Sequence, residues 1–182
     1  MSEDPGNYFL DAVREEDASV LMDWFNDSVL CRYMDDSEPN KKYGLDDVFS
    51  MVHNNKNKAA GANKAAGANK VESALSNSVY LVLRHQNVLV GYSSLYDFKQ
   101  QDEAEFSFLI GNPEFRGRKL GGLLVQLLCD KAKKLGLKKL TCSVNSENQP
   151  SIRCIQKNGF TPVHLAEGVV LNRSELFFEK YL

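Results

Sequence analysis

The run Glu105-Phe-Ser-Phe-Leu-Ile-Gly-Asn-Pro-Glu-Phe-Arg-Gly-Arg-Lys-Leu-Gly-Gly122 sets a strand, a short glycine-bearing loop and a helix start in immediate succession. Backbone amides at a helix start converge on one point, and that end of the helix carries roughly half a positive charge. Arg116, Arg118 and Lys119 add cationic side chains around the same point. The chemistry these residues suit is the holding of a diphosphate. A nucleoside triphosphate loop fits poorly, because no Gly-Lys-Ser/Thr opens the helix to grip phosphate and magnesium. A second segment, Asn148-Gln-Pro-Ser-Ile-Arg-Cys-Ile-Gln-Lys-Asn-Gly-Phe160, follows one strand later and narrows the choice further.

The elements that position these segments are readable from periodicity. Tyr8–Arg14 alternates as a strand, and Glu15–Asn26 is a helix with acidic residues at its start. Leu45–Val52 repeats apolar residues at helical spacing. Val79–Arg84 and Val88–Tyr96 form a hairpin across His85-Gln-Asn87, with Gly91 marking a bulge or a close backbone approach. Ala104–Ile110 leads into the loop. Leu120, Leu123, Leu124, Leu127, Leu128 and Leu135 then stripe one helix, which Gly136 stops. Leu137–Val144 is a strand, Pro150–Lys157 a short helix ended by Asn158-Gly159, and Thr161–Ala166 and Leu176–Tyr181 two closing strands. Strands in antiparallel order followed by a β–α–β crossover make a mixed α/β sheet, not a doubly wound array.

Length and composition bound the reading. The 182 residues fit one domain, placed at 8–182, and a 43% hydrophobic fraction with ten Phe and seven Tyr supplies a core. A net charge of −2 argues against general binding to nucleic acid or anionic membranes. No apolar run reaches the roughly 20 residues that span a bilayer. Cys31, Cys129, Cys142 and Cys154 lack paired metal spacing, and no secretory signal precedes them, so reduced thiols, a cytoplasmic location and no metal are expected. Residues 54–77 differ in kind: Lys58-Ala-Ala-Gly-Ala-Asn63 repeats as Lys64-Ala-Ala-Gly-Ala-Asn69. Without a large apolar side chain the repeat cannot offset its ordering entropy, and the segment reads as a flexible insertion. Loop closure grows only slowly with length, so a compact domain tolerates it.

Taken in order, Arg116 to Gly122, the leucine-rich helix, the strand and Asn148 to Phe160 resemble the GNAT acetyltransferase superfamily. The branch most similar is that of ribosomal-protein-alanine acetyltransferases, the RimJ/RimL type, which Trp24-Phe-Asn-Asp27 and Arg32-Tyr-Met34 also resemble. The resemblance covers residues 8–182 apart from the repeat. It implies a mostly antiparallel twisted sheet with one splayed parallel pair around the β–α–β crossover, flanking helices, and acetyl-coenzyme A as cosubstrate. By the same resemblance, Phe108, Leu109 and Ile110 pair their backbone with the pantetheine arm. Arg116, Gly117, Arg118, Lys119, Leu120, Gly121 and Gly122 cradle the diphosphate, and Asn148 and Ser151 touch the cofactor from the second segment. Lys119 departs from the family's pattern by standing where its middle glycine belongs, which matters only if that position takes a positive φ.

The implied reaction needs an amine freed of its proton and a leaving thiolate that gains one. Glu105 is the candidate base, on a strand face shared with Ser107 and Leu109, and Glu103 is the second choice. The Ile110 N–H is the candidate donor to the thioester carbonyl. Family members carry Tyr seven residues after the motif asparagine; here that position is Ile155, so Ser151 becomes the candidate to steady or protonate the sulfur. Cys154 as a covalent nucleophile lacks a histidine to activate it, since His53, His85 and His164 lie in unrelated segments. The expected acceptor is a primary amine, first a protein N-terminal α-amine, with an aminoglycoside, polyamine or amino sugar as alternatives. Residues 20–52 and the hairpin near Glu167–Ser174 are expected to form its pocket, with Asp35, Asp36 and Glu38 attracting a cation. Rival readings are an acyl-coenzyme A sensor without turnover and an interaction domain recruiting partners through the lysine repeat.

Overall fold

The computed structural model describes residues 8–34, 42–59, 78–99, 102–167 and 174–182. In chain order they form β1 (Tyr8–Ala12), a 3-10 turn (Glu15–Asp17), α1 (Ala18–Asn26), α2 (Leu45–Ala59), β2 (Val79–His85) and β3 (Val88–Lys99). After these come β4 (Glu103–Leu109), a 3-10 turn (Pro113–Phe115), α3 (Leu120–Lys134), β5 (Lys139–Asn145), α4 (Gln149–Lys157), β6 (Thr161–Glu167) and β7 (Ser174–Tyr181). The seven strands make one sheet in the order β1-β2-β3-β4-β5-β7-β6. Every neighbouring pair is antiparallel except β4 with β5. This is the mixed α/β sheet read from the sequence.

Helices cover both faces of the sheet. Ala18, Leu21, Trp24 and Phe25 of α1 and Val48 and Val52 of α2 fall at helical spacing and bury against Tyr80, Val82, Tyr92 and Leu109. On the opposite face Val125, Leu128 and Ala132 of α3 and Ile152 and Ile155 of α4 pack on Ala104, Phe106, Leu140, Cys142 and Val144. Alternation along β4 decides the rest. Ala104 and Phe106 go under α3 and α4, which leaves Glu103, Glu105 and Ser107 on the face that α1 and α2 cover only in part.

Several boundaries differ from expectation for local reasons. β1 ends at Ala12 because the Arg14 N–H donates to Asp17 Oδ2 at 2.8 Å and turns the chain into the 3-10 start of α1. α2 runs past Val52 to Ala59, since Lys58 and Ala59 are good helix formers. It therefore enters the segment read as an insertion; residues 60–77 lie outside the described residues, as do Asp35, Asp36 and Glu38. β3 continues to Lys99 through a bulge between Tyr96 and Lys99.

Two glycines admit close approaches that any side chain would block. A Cβ on Gly91 would lie 2.5 Å from the Leu109 carbonyl oxygen, so β3 and the end of β4 meet backbone to backbone as the sequence suggested. At Gly111 the space a side chain would take is filled by the indole of Trp24. The loop itself turns through Gly117 at φ 77 and Lys119 at φ 63, ψ 15. The position where the family pattern has glycine thus does take the left-handed conformation, and a lysine bears the strain.

A buried ion pair ties the first strand and helix to the sheet. Arg84 of β2 donates through Nη2 to Asp17 Oδ1 and Oδ2 at 3.0 and 2.7 Å, and its Nε reaches Asp11 Oδ2 at 3.3 Å. The side chains of Arg84 and Asp17 are 5% and 1% exposed, so removing one partner strands a buried charge. Asp17→Ala is expected to cost about 3–5 kcal/mol in urea unfolding, well above a surface substitution. Lys119→Gly is expected to raise stability, by up to about 1 kcal/mol once glycine's greater freedom in the unfolded chain is discounted. Thermal melting without ligand checks it, and an unchanged or lowered midpoint would show that the left-handed lysine carries no net strain.

Candidate active site

β4 and β5 stay in register for three pairs only, Glu103 with Lys139, Ala104 with Leu140 and Glu105 with Thr141. β4 continues to Leu109 against β3, and β5 continues to Asn145 against β7, without pairing each other again. The strands part at Glu105. The facing backbone edges of residues 106–109 and 142–145 therefore lack a ladder partner, and buried backbone groups need one. An extended amide-bearing ligand arm laid in this opening would supply it. Phe108, Leu109 and the following Ile110, the expected partners of that arm, lie along the opening.

The loop after β4 is built to hold still. Asn112 donates from its backbone N–H to the Val90 carbonyl at 3.2 Å and from Nδ2 to the Leu89 carbonyl at 3.0 Å. Arg116 donates through Nε and Nη2 to the carbonyls of Ile110 and Gly111 at 3.2 and 2.6 Å, so its exposed guanidinium clasps the loop. Arg118 lies over the Phe115 ring, 5.2 Å from its centroid, and Arg118 and Lys119 are both exposed. Lys119 is the residue before α3, and no side chain caps that helix start. In that first turn the Gly122 N–H donates to the Lys119 carbonyl at 3.1 Å, while the amides of Leu120 and Gly121 come too early in the helix for an intrahelical partner. Gly121 lets this turn press on Cys154 and Phe108, where a Cβ would sit 3.4 Å from Sγ and 3.5 Å from Cε2. A helix start without a side-chain cap, beside the exposed Arg116, Arg118 and Lys119, fits a coenzyme A diphosphate.

Glu105 occupies the parting point. One row of the sheet runs Tyr96, Glu105, Thr141, Glu179, Thr161 in register across β3, β4, β5, β7 and β6. The Tyr96 hydroxyl donates to Glu105 Oε1 at 3.0 Å. A cavity of about 330 Å³ opens beside the carboxylate, lined by Lys99, Glu105, Lys139, Thr141, Val163 and Phe177 among others. Burial pushes the Glu105 carboxyl above the usual carboxylate range, and the Tyr96 hydrogen bond pulls partly against that. Glu103, the second candidate base, is engaged in ion pairs with Lys139 at 3.4 Å and Lys99 at 3.8 Å. Lys139 is held in turn by Glu179 at 2.7 Å.

The second segment arrives from the other side of β5. Asn148 caps α4, its Oδ1 accepting the Ser151 N–H at 3.3 Å, which keeps Ser151 in the first turn and half-buried. Ile155 is fully buried in the core and offers no proton. Burial lifts the Cys154 thiol to about 11, so it is not a thiolate near neutral pH. His85 stacks on Tyr8 with ring centroids 4.6 Å apart, and His53 is exposed on α2, which places neither near Glu105's row. Among the described residues, no cluster of His, Cys, Asp or Glu is arranged to hold a metal ion.

The cavity beside Glu105 is made by the sheet, and among the described residues none from 20–52 lines it. Tyr96, Lys139, Thr141, Phe177 and Glu179 are the residues that sequence reasoning missed. Their signal is weak but present: each sits at an alternate position of a strand that also carries core residues. What alternation cannot show is that five strands bring them into one row.

A model of the family described as acetyltransferase (GNAT) domain matches residues 8–161. An amino-acid acetyltransferase of Yersinia enterocolitica is 24% identical over 98 residues, 54% of this chain and 21% of that protein, so the chain spans about one fifth of that relative's length. Spermidine N-acetyltransferase from Vibrio cholerae, solved with coenzyme A and spermine, has a TM-score of 0.75 at 18% identity, covering 97% of this chain and 96% of that one. RimL, the ribosomal L7/L12 α-N-protein acetyltransferase solved with coenzyme A, also has a TM-score of 0.75, at 14% identity over 97% and 94%. With a family model covering most of its length and the splayed strands, glycine loop and helix start in place, the chain belongs to the GNAT acetyltransferase family.

Proposed function

We propose that this protein transfers an acetyl group from acetyl-coenzyme A to a primary amine, with Glu105 as the general base. The observation that carries the reading is a half-buried carboxylate at the parting of β4 and β5, lining a cavity open to an acceptor. Acetyl-coenzyme A, when bound, supplies a thioester whose carbonyl carbon the amine attacks and whose sulfur departs as thiolate. Glu105 takes a proton from the incoming ammonium, directly or through a water. Of the two protons the nitrogen sheds, one leaves to solvent by way of Glu105 and the other goes to the sulfur. Ser151, in the first turn of α4, is assigned to steady that sulfur in place of the phenol that Ile155 does not provide. The Ile110 N–H is assigned to the carbonyl oxygen.

A protein α-amine is the first acceptor. Its pKa near 7.7–8.0 asks far less of a carboxylate base than a lysine-type amine near 10.4. RimL, similar in fold, acts on such an amine. A small polycation is the second reading, favoured by the charges around the cavity. The lining balances Glu105 and Glu179 against Lys99 and Lys139, and Glu103, Glu175 and Asp97 stand next to these groups outside it; the spermidine enzyme shares the fold.

Mass detection of acetylated product across peptides with free N-termini, polyamines, aminoglycosides and amino acids tests the function and ranks the acceptors. Glu105→Gln is expected to lower turnover about 10²–10⁴-fold while coenzyme A still binds. Coenzyme A binding with no product on any amine would favour a sensor, and full activity in Glu105→Gln would remove the base. The same substitution should not weaken the fold. A carboxyl whose folded pKa is raised contributes stability at low pH that is lost as pH rises through that value. Glu105→Gln is therefore expected to melt at or above the parent temperature at pH 8 and to flatten the pH dependence of melting between pH 4 and 8.

A further inference from the structure

We propose that Tyr96 is the positioning residue for Glu105: its hydroxyl holds one carboxylate oxygen and leaves the other to receive the acceptor's proton, which sets the pH at which the enzyme turns on. The inference rests on the reading of Glu105 as base. Tyr96 and Glu105 are directly opposed in the β3–β4 ladder, so their side chains rise from neighbouring points of one face. The hydroxyl donates to Oε1 at 3.0 Å. Tyr96 is absent from the cavity lining, whereas Glu105 is part of it, so the phenol supports the carboxylate from behind.

The backbone reinforces that pairing. Immediately after Tyr96 the ladder slips, and Lys99 rather than Phe98 becomes the partner of Glu103. Asp97 turns the strand at φ 47, a left-handed conformation that a non-glycine residue takes at a cost. Bulges of this kind re-aim side chains beside active sites. Here the bulge makes Tyr96 the last residue of β3 in unbroken register with β4, and it carries Asp97 and Lys99 round into the field of Glu105.

The charges around the carboxylate come from each element packed against it. From β3, Asp97 raises the Glu105 pKa and Lys99 lowers it; from β7, Glu175 raises it. Glu103 on β4, Lys139 on β5 and Glu179 on β7 form one connected ion-pair cluster alongside. Against burial and the surrounding acids, the Tyr96 hydroxyl is a fixed donor that favours the ionised carboxylate. Losing it should push the carboxyl higher. A base works above its pKa, so the onset of activity moves to higher pH.

The experiment is the pH dependence of kcat/KM for the parent, Tyr96→Phe and Glu105→Gln, with an acceptor from the panel. In Tyr96→Phe the acid limb is expected to shift upward by about 0.5–1 unit. Activity should then fall several-fold on the limb and converge with the parent on the plateau, with coenzyme A affinity and melting temperature little changed. Replacing Tyr96 by 3-fluorotyrosine, a more acidic phenol and a stronger donor, should move the limb the other way. If Glu105→Gln is inactive while the Tyr96→Phe profile superimposes on the parent, Tyr96 is structural only and the inference fails. If Glu105→Gln keeps its activity, the base assignment fails and the role of Tyr96 falls with it.

Discussion

The parting of β4 from β5 is the constraint on which the rest of the molecule is arranged. Two parallel strands that share three register pairs and then diverge leave backbone groups without partners, an arrangement a sheet normally avoids. It persists because each strand is secured on its other side: β4 to β3 from Lys99↔Glu103 to Tyr92↔Leu109, and β5 to β7 from Lys139↔Tyr181 to Asn145↔Glu175. The sheet thus behaves as two firm halves joined by a short seam. Phe106, Ile152, Ile155 and Phe160 pack together on the α3–α4 face of the sheet, where the first turn of α3 also meets α4 at Gly121 and Cys154.

Much of this was legible in the chain. Alternation and helical spacing located the seven strands and the long helices of the described residues, since those patterns record which face each residue buries. The glycine signals were equally direct: Gly91 marked a close backbone approach because only a missing Cβ permits one. The face shared by Glu105 and Ser107 followed from period two alone. Less legible was anything set by the meeting of distant strands. The row from Tyr96 to Thr161 depends on register across five strands, and a shift of one residue in any of them would dissolve it. The extent of α2 was also missed, because Lys58 and Ala59 belong at once to a low-complexity repeat and to a good helix end.

Arg116 shows how a motif can be located correctly while one side chain's duty within it stays hidden. Sequence reasoning gathered three cations around an anion site. In the fold all three are exposed, and one of them also donates to the carbonyls of Ile110 and Gly111. The loop's rigidity and part of its electropositive character therefore come from the same residue. Lys119 carries a further tension, because it supplies charge at the helix start only by accepting a backbone angle better suited to glycine.

Trp24 is the sole tryptophan in the sequence, and its ring lies against the bare backbone of Gly111. Gly111 opens the loop that Arg116 clasps, so α1 and the anion-binding turn share one contact surface. The indole is 8% exposed, and its emission is governed by packing there more than by water. The fold consequently contains its own fluorophore at the joint between α1 and the loop after β4, and a displacement of either element alters the light that this one ring emits.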